Sequence, residues 1–126
     1  ASLVEVKCKT DFVAKNEEFK KFVHELSLQV AAMKPKYVSK DVIPEEQLVQ
    51  LKDIFTKETE VEGKTGEILP KIVEGKLSKY FQENCLLEQK WFKDESKTMR
   101  NLLDEAITKL GEPLEITRIL YWEFGK

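Results

Sequence analysis

Few residues in this chain of 126 have the types and spacing that chemistry requires. His24 is the single histidine, with no cysteine or second histidine at metal-ligand spacing, so the zinc patterns fail and it reads as a helix-surface or boundary residue. "GKTGE" lacks the earlier glycine and the preceding strand of a phosphate-cradling loop, and reads as a turn. The acid pairs Glu17–Glu18 and Glu45–Glu46 fall at helix starts, where the helix dipole explains them without proton transfer. No serine nucleophile elbow occurs, and Tyr121–Trp122 could stack a base or ligand but has apolar neighbours that favour core or a subunit interface. No catalytic residue, metal or cofactor is therefore expected. What remains is "CKTDFVAKNEEF", residues 8–19, where a carboxylate and a phenyl ring, Asp11 and Phe12, stand together at the end of an alternating stretch.

The elements around that stretch follow from periodicity. Val4, Val6 and Cys8 alternate with Glu5, Lys7 and Lys9, as in a strand with one face buried. From about Asn16 to Met33, Phe19, Phe22, Val23, Leu26, Val30 and Ala31 recur at helical spacing; either Thr10 or Asn16 could cap this helix, and with Thr10 as cap Asp11 and Phe12 lie in the first turn. Two prolines mark an extended connection, and a peripheral helix runs from about Pro44 to Glu60 on Leu48, Leu51 and Phe55. A third helix spans about Ile68 to Glu88, with Gly75 inside it as a place for close packing. "QKWFKDES" reads as an irregular turn, and Ser96 as the N-cap of a fourth helix stopped by Gly111. In the closing strand Leu114, Ile116, Leu120, Trp122 and Phe124 fall on one face, with Ile119 and Tyr121 on the other.

The expected fold class is α+β: a small antiparallel sheet including the first and last strands, packed with about four helices, in one domain over residues 1–126. A closing strand apolar on both faces needs cover on both, so a homodimer is expected, with Ile119, Tyr121 and Trp122 at its interface. With 21 basic and 23 acidic residues and an isoelectric point near 5.6, direct nucleic-acid binding is disfavoured. Cys8 and Cys85 read as two buried thiols, which fits a reducing compartment, and no signal peptide or apolar run of about 18 residues points to export or a membrane.

"VEVKCKTDFVAKNEEF" resembles the signature of elongation factor Ts, the nucleotide-exchange factor for the translational GTPase elongation factor Tu. "AAMKPKYVS", "KIVEGKLSKYFQENCLLEQKWFKD", "SKTM" and "ITRILYWEFGK" resemble successive segments of the same family, in order, over nearly the whole chain. Lys7 and Lys9 depart from it, standing where the family more often has Asn and Glu. The resemblance implies a core, or dimerisation, domain of the short type that forms two-fold dimers, without the family's small N-terminal helical domain. It also implies elongation factor Tu as partner, no enzymatic activity, and a bacterial cytoplasm or an organelle matrix as location.

The resemblance further implies that Asp11 and Phe12 intrude near the Mg²⁺ and phosphate site of the GTPase, with Thr10, Val13, Lys15 and Asn16 shaping the corner. On residue type alone Asp11 reads as support for a helix start and Phe12 as core. The competing expectation is a dimerisation module that keeps the fold without exchange activity.

Overall fold

The computed structural model describes residues 1–122. Strand β1 (Ser2–Cys8) leads into a one-turn helix α1 (Asp11–Ala14) and then the long helix α2 (Glu17–Met33). An irregular stretch with a 3₁₀ turn at Lys40–Val42 reaches helix α3 (Glu45–Val61), and helix α4 (Ile68–Asn84) follows. A second 3₁₀ turn (Leu86–Glu88), short strands β2 (Lys90–Trp91) and β3 (Asp94–Thr98), helix α5 (Met99–Leu110) and strand β4 (Leu114–Tyr121) complete the order. As expected, the first and last strands pair antiparallel, and the fold is α+β.

The core lies between the β1–β4 sheet, α2, α5 and the turn after α4. Phe19, Phe22, Leu26 and Val30 form the buried stripe of α2, meeting Leu86, Leu87, Met99, Ala106, Leu114 and Ile116. Full burial of each large apolar side chain is worth about 1.5–3 kcal/mol, so this stripe anchors the segment that follows the corner. Ala31, expected on the inner face, is exposed. Two buried amides stitch the layers: Gln29 Nε2 donates to Gln89 Oε1 (3.2 Å) and to the Lys90 carbonyl (3.0 Å), while Gln29 Oε1 accepts from the Phe92 amide (3.0 Å).

Helices α3 and α4 form an antiparallel hairpin that packs mainly on itself. Phe55 meets Tyr80 edge-on at 6.4 Å, and Lys76 reaches both Glu58 and Glu62 at 3.1 Å. Gly63 and Gly66 carry positive φ (83° and 76°) in the loop at its tip. At its base Tyr37 donates its hydroxyl to Gln47 (2.8 Å) and its amide to the Asn84 carbonyl (3.0 Å).

Several expectations are corrected. The segment read as an irregular turn is the β2–β3 hairpin, closed where Lys90 pairs with Thr98 and Trp91 with Asp94. Ser96 lies inside β3 and bonds Asp94 (2.7 Å); the cap of α5 is Thr98, in a reciprocal capping box with Asn101. Helix α4 ends at Asn84, and a side chain at Gly75 would meet open space, so no backbone packs closely there. The faces of β4 also differ from the expected pattern. Pairing shifts between Glu5↔Arg118 and Val6↔Ile116, leaving Thr117 as an extra residue. One extra residue exchanges the two faces, so Leu114, Ile116, Ile119 and Tyr121 all pack toward the core, while Leu120 and Trp122 turn outward. Phe124 lies outside the described residues.

Candidate functional site

The corner between β1 and α2 is built from two capped helices in succession. Thr10 has an extended backbone (φ −130°, ψ 150°), and its hydroxyl oxygen accepts from the Val13 amide at 3.3 Å, capping α1. Six residues later Asn16 accepts from the Glu18 amide at 2.8 Å and caps α2. The two candidate caps are thus both caps, one for each helix. Lys15 closes α1, donating its amide to the Asp11 carbonyl (3.2 Å), and the Asn16 amide reaches the Val13 carbonyl (2.9 Å).

Side chains on this single turn separate sharply by burial. Val13 is 5% exposed and joins the core cluster, fixing the turn to the body. Phe12, its neighbour, is 82% exposed, and Asp11 and Lys15 also face solvent. A ring left in water forgoes most of the roughly 1.5–3 kcal/mol its burial offers. Thr10, Val13 and Asn16 therefore hold the corner, and Asp11, Phe12 and Lys15 are what it presents. The residue-type expectation that Phe12 is core does not hold.

A residue with no signal in the sequence also holds the corner. Glu112, after α5, accepts from the amides of Lys9 (2.8 Å) and Thr10 (3.2 Å) through Oε1 and from the Thr10 hydroxyl (3.2 Å) through Oε2. It lies 102 positions from Thr10, and an isolated acid after a helix-stopping glycine carries no pattern that would single it out.

The outer face of the β1–β4 sheet divides into two zones. At one end Leu3, Leu120 and Trp122 are 57%, 55% and 51% exposed. Toward the corner the surface is charged: Glu5 bonds Arg118 (2.7 Å) and the Thr117 hydroxyl (2.6 Å), and Lys7 stands opposite Glu115. The Arg118 guanidinium, with the Thr117 hydroxyl, holds the Glu5 carboxyl down at about 2. Of the three residues expected at a subunit interface, Ile119 and Tyr121 are half-buried on the inner face and Trp122 is exposed on the outer one. Tyr121 lies under the Lys34 ammonium, 5.3 Å from its ring centre.

Cys8 and Cys85 are free thiols. Burial pushes the Cys85 thiol up to about 11, as befits a packing residue. Among the described residues no cluster of three His, Cys, Asp or Glu could hold a metal, and no helix is long and apolar enough to cross a membrane.

Comparison with known proteins gives a consistent picture. A family described as elongation factor TS matches residues 22–126. The chain is 48% identical over 124 residues to elongation factor Ts of Coprothermobacter proteolyticus, covering 98% of this chain and 63% of the relative. The elongation factor Ts of Caldanaerobacter subterraneus subsp. tengcongensis is also 48% identical, with 98% and 62% covered, and that of Moorella thermoacetica 46% identical, with 98% and 61%. The chain thus spans about three fifths of the length of these relatives. The family match begins beyond the corner, but alignments over 124 of 126 residues take it in.

Proposed function

Since the chain belongs to the elongation factor Ts family, we propose that it is the core of a nucleotide-exchange factor for elongation factor Tu in translation elongation, working by binding and not by bond chemistry. Such a factor releases GDP by binding the nucleotide-free GTPase better than the nucleotide-bound one, and by linkage bound nucleotide weakens the factor's hold by the same ratio. The contacts that matter are those incompatible with bound Mg²⁺ and phosphate. Phe12 enters an apolar crevice beside the metal side of the nucleotide pocket, and Asp11 disturbs the ordered groups near the metal. The observation that carries this reading is an 82%-exposed phenyl ring on a turn capped at Thr10 and pinned by Val13. Nothing in the packing of this chain requires a ring there.

The test is release of a fluorescent GDP analogue from elongation factor Tu, with and without this chain. Unchanged release in the presence of a folded chain would leave the second reading, a dimerisation module without exchange activity. That reading draws on the outer sheet face, where Leu3, Leu120 and Trp122 offer an apolar zone beside a charged one. A second copy of the chain would cover both zones through a two-fold axis. Self-association is compatible with either reading. Sedimentation should give a dimer at micromolar concentration, and Leu120→Lys should give a monomer; a parental monomer would remove the dimer. We place the factor in the soluble cytoplasm, with no direct contact to nucleic acid or membrane.

A further inference from the structure

We propose that Glu112 is a positioning residue for nucleotide exchange, the group that holds Asp11 and Phe12 in the orientation the partner meets; this rests on the exchange reading above. The β1–β4 ladder stops at Cys8↔Leu114. The residue just before β4 is Pro113, which has no amide to donate and restricts the residue before it to extended backbone. Two residues before that proline, Gly111 ends α5 with φ 72°, so Glu112 is fixed between a helix stop and a proline. Its carboxylate takes over where the ladder ends, collecting the amides of Lys9 and Thr10 that would otherwise turn to water.

The Thr10 hydroxyl then acts as a relay. Its one proton goes to Glu112 Oε2, which orients its lone pairs toward the Val13 amide inside α1. Glu112 therefore sets the Thr10 rotamer, Thr10 sets the first turn of α1, and that turn carries Asp11 and Phe12. All three bonds to Glu112 lie at the exposed surface, where water satisfies the same donors, so they add little to fold stability. Their consequence is geometric. A corner fixed before contact need not be ordered during it, and ordering a loop on binding weakens association.

The experiment compares GDP release driven by the parental chain, Glu112→Ala, Phe12→Ala and the double variant, all at equal folded concentration. Loss of the clamp should slow release roughly tenfold, or ~1.4 kcal/mol. In the Phe12→Ala background the same change should cost under about twofold, because Glu112 acts through the corner. Glu112→Gln should recover only part of the rate, since its carbonyl still accepts from both amides but its amide nitrogen cannot accept the Thr10 hydroxyl proton. Amide hydrogen exchange at Lys9 and Thr10 should accelerate about tenfold in Glu112→Ala while the melting temperature stays put. Equal slowing by Glu112→Ala in both backgrounds, no slowing at all, or unchanged exchange at Lys9 and Thr10 would overturn the assignment. If the parental chain itself leaves GDP release unchanged, the exchange reading has failed, and the positioning role of Glu112 with it. That outcome is distinct from an active parent matched by its Glu112→Ala variant.

Discussion

Replacing Phe12 with alanine separates what the corner contributes to the fold from what it offers a partner. The ring is 82% exposed, so about four fifths of its burial energy is unused in the chain alone. Taking about 1.5–3 kcal/mol for full burial, roughly 1.2–2.5 kcal/mol is available to the crevice proposed on elongation factor Tu. At about 1.4 kcal/mol per decade, that corresponds to a loss of about 7- to 60-fold in stimulated GDP release. The fold loses only the small buried remainder, about 0.3–0.5 kcal/mol, offset by the better helix propensity of alanine in α1. The melting temperature should therefore shift by no more than about 3 °C. Stopped-flow release of a fluorescent GDP analogue, at a concentration where both chains are folded by circular dichroism, measures the loss directly. A Phe12→Ala chain as effective as an active parent would refute the wedge assignment, because no other property of the corner changes.

Val13→Ala should do the reverse of Phe12→Ala. It removes buried methyl groups from the core, costing about 1–2.5 kcal/mol in urea unfolding, and slows exchange only through the displaced turn. Glu5 supplies a pH dependence: its carboxyl is held at about 2 in the folded chain by Arg118 and Thr117, against about 4.3 when unfolded. Its stabilising contribution is present above about pH 4.3 and is lost as the pH falls toward 2, so Glu5→Gln should flatten the decline of the urea midpoint over that window. An unchanged slope would show that the Glu5–Arg118 pair does not act in the folded state. Cys85 is fully buried with its thiol pushed up to about 11, so a thiol reagent at pH 8 should modify Cys8 alone until denaturant is added. Rapid modification of two thiols in the native chain would contradict this packing.

What the sequence made legible is what local periodicity encodes. The alternation of Val4, Val6 and Cys8 and the three- and four-residue spacing along α2 are each written within one element, and both faces stand as expected except at Ala31, which is exposed. Features that depend on a distant partner were not legible. Strand β3 is mostly charged and owes its conformation to pairing with β2 and to the capping of α5, so "KDESK" shows no alternation of its own. Thr117 looks like any strand residue, and only its lack of a partner on β1 reveals the bulge that exchanges the faces beyond it. The same division runs through the corner. Thr10 and Asn16 are legible as candidate caps from residue type and Asp11 and Phe12 stand in a motif, whereas Glu112 reaches the corner from the far end of the chain.

The helical hairpin has a property of a different kind. Its two helices of 17 residues leave the body and return at one place, the neck formed by Tyr37, Gln47 and Asn84. Each extends roughly 25 Å from that neck. Removing matched turns from both helices would leave the neck with the same ends at the same separation. The reach of this arm is therefore a variable that evolution or an engineer can alter, in steps of about 5.4 Å, without consulting the sheet.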